Sequence, residues 1–268
     1  MLSRVALALC MASFGTTLAV SRAWAGDDGE DTTRVLAFGG MCLNCELSGR
    51  KLPQAKFIGA NFAGAAMVGS DLHGAAFFGS NFAGADLARA DLHDATLFGS
   101  DFTNTDFTEA NLVGVRGHGA NFTGANLSRA NLGGANLLGS ELTRVNARDA
   151  QFVGATLFGA NLTQGHFERA SFKSANLVGA NLAAASLAGT DFTGANFAHT
   201  NIASTDLSQV RGLTQAQIDQ ACAGPSTRLP AGLVGKTCKP GVGNVIVLHS
   251  MTPIHAGAPR YIVELGIP

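Results

Sequence analysis

A five-residue period runs through most of this chain. Between Cys42 and Leu207 a large apolar residue, called here the centre of a pentad, recurs at every fifth position without a slip. Leu, Phe, Met or Ile fills 31 of the 34 centres, and the exceptions are Cys42, Gly117 and Ala147. A period of five is not that of an amphipathic helix, whose apolar positions recur every ~3.6 residues, nor the period of two of a flat strand.

The residues around each centre follow a fixed order. Two positions earlier the side chain is small, with Arg50 as the exception, and the residue directly before the centre is often Asn or Asp. The remaining two positions are rich in Gly, Ser, Thr and other turn formers. This order predicts a short strand followed by a turn, repeated so that the chain coils and each coil stacks on the last, as in a solenoid.

The length of one coil also follows from the sequence. Phenylalanine centres recur in steps of twenty, and so do charged residues two positions after a centre, with alternating sign. Twenty residues per coil would stack the opposite charges within ion-pair reach, about 4.8 Å apart, and would give about eight coils in a rod roughly 40 Å long. The residues concerned are Phe62, Phe82, Phe102, Phe122, then Phe152, Phe172, Phe192, and the charges Arg89, Glu109, Arg129, Asp149, Arg169.

The tandem A-(N/D)-(L/F)-x-x motif of residues 42–207 resembles the pentapeptide-repeat family. The resemblance implies an all-β solenoid, a right-handed quadrilateral β-helix whose small and central residues point inward, and no shared catalytic residues. Gly117 and Ala147 should then leave thin spots in the core, each costing about 2–5 kcal/mol relative to a packed Leu.

The first 25 residues have the features of a secretory signal peptide. Arg4 gives a positive start, residues 6–20 are largely apolar, and Ala23-Trp24-Ala25 fits the small-residue cleavage rule. We therefore expect a mature chain that begins at Gly26, is periplasmic or secreted, and has no stable membrane span after cleavage. The alternatives are a membrane anchor and lipidation at Cys10.

The rest of the chain divides into four parts: a linker and lead-in at 26–39, the β-helix at 40–209, a helical cap at 210–238 and a tail at 239–268. Residues 214–222 predict a short helix with Thr214 as N-cap and Gln217 completing a capping box, placed to plug the end of the rod. The tail contains two β-prone runs, at 245–248 and 261–263. It could form a hairpin, a flexible tail or a cover for the rod.

Four cysteines are candidate disulfide partners. Cys42 is a centre and Cys45 the small residue of the next pentad, and their Cys-x-x-Cys-x-Leu-Ser-Gly context resembles the opening of other pentapeptide-repeat proteins. We interpret this pair as a structural start that can form a disulfide after export, in preference to a redox pair or half of a zinc site. Cys222 and Cys238 could bridge in an oxidising compartment.

One row of outward positions is unexpectedly apolar. At twenty-residue steps, the residue just after the centre on one face is large and apolar in six of seven cases, whereas the equivalent row on another face is Ala or Thr. An exposed apolar stripe of this length usually marks an interaction surface. It could bind a protein partner, a second copy or the chain's own tail. The row is Ile58, Phe78, Phe98, His118, Leu138, Phe158 and Val178, and it is called here the stripe.

A second surface feature is the pair His73 and His93, with Asp71, Asp91 and Asp94 nearby. Such groups can bind a divalent metal, but a solvated polar ladder is the preferred interpretation. The repeated Asn/Asp residues give no carboxylate a distinctive setting, and the sequence has no nucleophile elbow, phosphate loop or HExxH motif. We therefore expect neither an enzyme nor a metal or other cofactor.

The function that follows is a non-enzymatic exported scaffold that uses its β-helix surface for protein binding or self-association. The alternative is a DNA-mimicking pentapeptide-repeat protein that binds DNA gyrase, which needs a cytoplasmic, strongly acidic rod. The net charge is −1, and removal of Arg4 and Arg22 with the signal segment makes it only −3. This charge indicates neither a DNA mimic nor a basic protein that binds nucleic acid.

Cell fractionation with intact-mass measurement tests the expected export. The prediction is a periplasmic or secreted protein whose mass corresponds to a chain starting at Gly26, because the three residues before it fit the cleavage rule. A cytoplasmic protein that retains residues 1–25 would contradict export and would reopen the gyrase alternative.

Overall fold

The structure is a computed structural model that describes residues 36–237. The predicted signal peptide, most of the linker, Cys238 and the tail lie outside the described residues, so those expectations stay predictions. Regular elements in the described part are short. They are strands β1 (Leu36–Phe38), β2 (Lys56–Ile58) and β3 (Ala76–Phe78) and helix α1 (Gln215–Gln220).

The chain coils with a step of twenty residues. Strands β1, β2 and β3 pair in parallel in that order, with Leu36 opposite Lys56 and Lys56 opposite Ala76. Isolated parallel bridges continue the same register on four rows, from Met41↔Asn61 to Asp191↔Arg211. Four rows of bridges in twenty residues mean that each pentad forms one side of a four-sided coil, as the sequence predicts.

Most pentads share one pattern of backbone hydrogen bonds. The first N–H donates to the previous coil, the second and fourth donate to the next coil, and the fifth closes a turn onto the centre's carbonyl. Where Asn, Asp or Glu precedes the centre, the third N–H usually donates to its side-chain oxygen. In the pentad 126–130 the five donor–acceptor distances run from 2.6 to 3.2 Å. The frequent Asn or Asp before the centre is thus explained as an acceptor for the turn that follows it.

Each turn needs a left-handed residue two positions after the centre. Positive φ at the third residue of a four-residue turn is the signature of a type II turn, which glycine adopts most easily. Most of these positions are glycine, but non-glycine residues also occur there, such as Asn104 with φ 56° and Arg129 with φ 59°. The charged residues of the predicted ladder occupy such corners, and their side chains therefore leave the rod at its edges.

The centres form continuous stacks inside the rod. Phe62, Phe82, Phe102 and Phe122 lie face to face with ring centroids 4.9, 5.0 and 5.1 Å apart. A second stack, Phe152, Phe172 and Phe192, has spacings of 4.6 and 5.4 Å. These stacks confirm the twenty-residue step that the phenylalanine pattern predicts.

The structure corrects the expectation of a thin spot at Gly117, because a neighbouring side chain fills the space. A Cβ at Gly117 would lie 2.9 Å from Cδ2 of Leu137, the centre one coil further on, so the leucine fills the space that the glycine leaves. At the second exception, Ala147 is fully buried. One coil further on, Cε2 of Phe167 takes the room that a Cβ at Gly165 would need. Glycine thus stands where a neighbouring side chain needs the room.

Small inward residues that carry a hydroxyl use it within the core. The hydroxyls of Thr105, Thr190 and Thr200 donate to carbonyls 23 residues earlier at 2.7–2.8 Å, and thereby link adjacent coils. Ser70 and Ser80 are buried without a hydrogen-bond partner for Oγ among the described residues. A hydroxyl at the inward small position is therefore compatible with the core when it donates to a backbone carbonyl of the preceding coil.

Helix α1 lies directly after the last coil. Thr214 is its N-cap and forms the predicted capping box with Gln217, whose side chain also donates to the carbonyls of Phe192 and Ala195 at 3.0 and 2.8 Å. Ile218 is fully buried. Beyond the helix the chain resumes parallel pairing with the last coil, at Asn201↔Cys222 and Asp206↔Arg228, which the sequence did not predict.

The stacked core gives a stability prediction. Phe102→Ala should lower the free energy of unfolding by about 3–5 kcal/mol, because a fully buried ring between Phe82 and Phe122 is lost. Val113→Ala is the matched control, since Val113 is 38% exposed, and should cost far less. Chemical denaturation measures both, and equal costs would contradict the assignment of position 102 to the core.

Candidate interaction surface

The stripe occupies the third position of the pentads on one side of the rod, where side chains point outward. Ile58 and Phe78 are 40% and 36% exposed, and the other five members are half-buried. Lateral contact between coils accounts for part of this burial: the rings of Phe78 and Phe98 meet edge to face at 6.0 Å, and Phe98 stacks on His118 at 4.7 Å. The stripe is therefore a continuous apolar surface, most open at its N-terminal end.

A row of glycines borders the stripe along one edge. The residue after each member of the stripe is glycine at all seven levels. A Cβ added at Gly59, Gly79, Gly99 or Gly159 would meet no atom within 4 Å. These corners have positive φ, as the type II turn requires, and they leave this edge of the apolar row without side chains. Another chain can therefore approach the backbone closely here.

The stripe also differs from the neighbouring side of the rod in its backbone hydrogen bonds. On that side, the third N–H of every pentad from Ala63 onward donates to a side-chain oxygen two residues earlier. The donors are Ala63, Ala83, Thr103, Thr123, Thr143, Thr163, Ala183 and Ala203.

In the stripe, Leu138 and Val178 have such a bond, to Asn136 at 3.3 Å and to Asn176 at 3.1 Å. The N–H groups of Phe98, His118 and Phe158 have no acceptor within residues 36–237. The sequence indicates this difference, because Thr96, Arg116 and Thr156 occupy the position directly before the centre, where other pentads have Asn or Asp. We did not draw that conclusion from the sequence. The stripe therefore combines apolar side chains with outward donors that lack a partner.

His118 is the one polar member of the stripe, and its surroundings disfavour its charged form. Burial lowers its pKa below the usual 6.5, a hydrogen bond with Asn136 acts in the opposite direction, and the charge of Arg116 lowers it further. Nε2 is buried without a hydrogen-bond partner among the described residues. At neutral pH the imidazole is thus uncharged, and the stripe is uncharged along its whole length.

The predicted charge ladder forms in part. Arg129 contacts Glu109 at 2.9 Å and Arg169 contacts Asp149 at 2.6 Å, each from one coil to the next. The other two steps, Arg89 to Glu109 and Arg129 to Asp149, have no ion pair in the described part of the chain. Because all these side chains are largely exposed, the pairs contribute little stability, about 0–1 kcal/mol each.

The predicted stack of His73 and His93 is present, with parallel rings whose centroids are 5.0 Å apart. Nδ1 of each ring bonds the aspartate two residues earlier, Asp71 at 2.6 Å and Asp91 at 2.9 Å. The bond to Asp91 raises the pKa of His93. Residues 36–237 contain no group of three or more metal-binding side chains placed to hold an ion, and the geometry is that of two Asp–His pairs in a polar ladder.

The cysteines are placed largely as the sequence suggests. Cys42 and Cys45 form a disulfide across the turn of the first described coil, and both are buried. Cys222 is also disulfide-bonded. Its predicted partner Cys238 lies outside the described residues, so that pairing stays a prediction. The bond at 42–45 covalently closes a turn at the N-terminal end of the rod.

The described surface has open concavities and carboxylates whose partners recur along the repeat. Its concavities are shallow, such as the depression bordered by Ala198, His199, Gln220 and Lys236. The carboxylates with lowered pKa values owe them to short-range partners that recur along the repeat, such as Thr193 for Asp191 and Arg169 for Asp149. Between residues 36 and 237 no helix has the length and hydropathy to cross a membrane.

The repeat can be compared with known proteins at this point. The family description "Pentapeptide repeats" matches in eight copies, over residues 43–82, 75–114, 120–164, 150–182 and 175–211. The chain belongs to the pentapeptide-repeat family. Its fold is accordingly a right-handed quadrilateral β-helix. The search of curated proteins found no match.

Solved structures also match this chain. HetL, a pentapeptide repeat protein involved in heterocyst differentiation regulation in the cyanobacterium Nostoc sp. strain PCC 7120, is 26% identical with a TM-score of 0.65, over 76% of this chain and 93% of HetL. A pentapeptide repeat protein of the Arabidopsis thaliana thylakoid lumen is 25% identical with a TM-score of 0.30, over 44% and 68%. QnrB1, a plasmid-mediated fluoroquinolone resistance protein, is 20% identical with a TM-score of 0.32, over 74% and 91%.

Two histidines should give opposite pH dependences of stability. The pKa of His118 is lowered in the folded protein, so on acidification the unfolded protein binds a proton at this residue before the folded protein does. Stability therefore falls as the pH drops below about 6.5. His93 has a raised pKa, so its contribution is full below about 6.5 and is lost as the pH rises through the folded-state pKa. Thermal unfolding between pH 5.5 and 8 measures both.

The histidine variants separate these effects. His118→Phe keeps the stack on Phe98 and should reduce the loss of stability on acidification. His93→Phe should increase that loss, because a group that gains stability at low pH is removed. If both variants follow the wild-type pH profile, neither imidazole has the environment described here.

Proposed function

We propose that this protein is a non-enzymatic exported scaffold that binds a protein partner through the stripe. The observation that supports this function best is the coincidence of three features on one side of the rod. Six of seven successive coils carry a large apolar side chain at this position, the adjoining corner is glycine throughout, and the N–H groups of Phe98, His118 and Phe158 have no acceptor among residues 36–237. No other side of the described rod combines all three.

These features favour a peptide-like surface as the bound group. Apolar area supplies the driving force for association, at roughly 25 cal/mol per Å² removed from water. Backbone carbonyls of a partner can accept from the free N–H groups, since a donor that loses water without gaining an acceptor costs about 1–3 kcal/mol. The glycine corner lets such a backbone come close.

The rod itself is the scaffold in this proposal. Eight stacked coils, closed by helix α1 and begun by the Cys42–Cys45 disulfide, hold the seven side chains of the stripe at a regular spacing of about 4.8 Å. The burial of Ile218 and the hydrogen bonds from Gln217 to the last coil support the role of α1 as a cap. The apolar start of the chain and its Ala-Trp-Ala sequence support export.

The gyrase alternative has no support from the surface of the described rod. A DNA mimic needs a dense acidic face, whereas here Glu109, Asp149 and Glu168 are each paired with an arginine. The likeness to QnrB1 has too low a TM-score to bear on function. We therefore do not favour this alternative.

Site-specific photocrosslinking in the native cell tests the proposal. A benzophenone amino acid at Phe78 should form a discrete adduct with another protein, because Phe78 is exposed and central to the open part of the stripe. The control is the same amino acid at Ala83, which has the same pentad position on the neighbouring side and should give no such adduct.

A stripe variant must then abolish the adduct. Phe98→Asp introduces a charge beside the probe and should remove the crosslink at Phe78 while the protein level stays normal. Equal adducts from both probe positions, or none from Phe78, would contradict docking through the stripe.

A further inference from the structure

We infer that, in the free protein, the C-terminal segment 238–268 lies along the stripe and covers its exposed end. Residues 245–248 would then pack on Ile58, Phe78 and Phe98. This inference rests on the proposed function in one respect: a partner that uses the stripe must displace the segment. The cover itself follows from the position of the last described residues and from the chemistry of the stripe.

The described chain ends beside the C-terminal end of the stripe. The row continues from Val178 to Ala198, one coil further on, and Lys236 borders the same shallow depression as Ala198 and His199. Thr237 pairs with Ala223 in the short stretch after α1. A disulfide between Cys222, which borders this depression, and Cys238 would hold the start of the segment at this end of the row.

The length of the segment fits the length of the stripe. From Ala198 back to Ile58 is seven coils, or about 34 Å at 4.8 Å per coil, and 31 extended residues reach about 100 Å. The run 245–248 begins eight residues after Thr237, about 26 Å along an extended chain. Five coils back from Ala198, about 24 Å, lies Phe98. The remaining residues of the run reach about 10 Å further, so the run spans the distance from Phe98 to Ile58 and Phe78, the most exposed members of the stripe.

The chemistry of the stripe selects this occupant over a second copy. Two stripes brought together would present N–H donors to N–H donors, and Phe98, His118 and Phe158 would still lack acceptors. An extended segment offers a carbonyl at every residue, and the run Val245-Ile246-Val247-Leu248 adds apolar side chains. The segment also has few charges to desolvate: Lys239, Arg260 and Glu264.

Photocrosslinking in the purified, mature, full-length protein tests the inference. A benzophenone amino acid at Phe78 should form an intramolecular adduct, mapped by mass spectrometry of a digest to residues 240–268. The same probe at Ala83 should not. An adduct between two copies would identify a second copy as the occupant, and no adduct to the segment would mean that the stripe is open. Either result overturns the inference.

A thermal-unfolding cycle in the full-length chain provides a second test. Phe98→Asp should lower Tm by several degrees, replacement of residues 245–248 by four serines should lower it by a similar amount, and the combined variant should be no worse than either alone. Val153→Asp, on an exposed valine outside the stripe, is the control and should add to the serine replacement. Additive effects of Phe98→Asp and the serine replacement would overturn the inference.

The two proposals can fail separately. If the purified protein gives the intramolecular adduct and cells give no adduct with another protein, the cover stands and the docking proposal fails. If cells give a partner adduct at Phe78 and the purified protein shows no contact with the segment, the docking proposal stands and the cover fails.

Discussion

The backbone hydrogen-bond register of twenty residues is the constraint on which the rest of this structure depends. A coil this narrow has no long strands, so each N–H must find its acceptor in the coil before, the coil after or its own turn. Three of the five donors in a pentad bond to adjacent coils, and these bonds align the centres above one another. The stacks of Phe62 to Phe122 and of Phe152 to Phe192 follow from that alignment. A slip of one residue would place centres outside the rod.

The third donor of each pentad is the weak point of this arrangement, and it connects the fold to the proposed surface. It points outward and depends on the residue before the centre for an acceptor. On the side from Ala63 to Ala203 that residue is always Asn, Asp or Glu, and the polar network closes on itself. Along the stripe, Thr96, Arg116 and Thr156 break the rule, and the N–H groups of Phe98, His118 and Phe158 have no acceptor among residues 36–237. A surface suited to binding a backbone arises from a local departure from the repeat.

Much of this molecule could be predicted from its residues, and the limits of prediction have physical causes. The pentad period, the inward centres, the stripe and the capping box of Thr214 and Gln217 are local patterns, and the structure has them. The expectation of a thin spot at Gly117 was wrong, because Leu137 of the next coil fills the space. The position of Leu137 Cδ2 depends on packing between coils. The pairing of Cys222 and Arg228 with the last coil was missed, since no periodicity continues beyond Leu207. The charge ladder was predicted as continuous, but ion pairs form at only two of its four steps.

The sequence by itself determined the four-sided coil, its register and the residues of the stripe. A strict five-residue repeat permits only one alignment of small, polar and large positions, because inward and outward sites alternate within each short strand. The tertiary structure alone decided which neighbours fill the gaps, which charges meet, and which backbone donors find an acceptor. It also showed that Lys236 borders the same depression as Ala198, one coil beyond the stripe. These features depend on distances between coils twenty residues apart, and a one-dimensional pattern does not contain those distances.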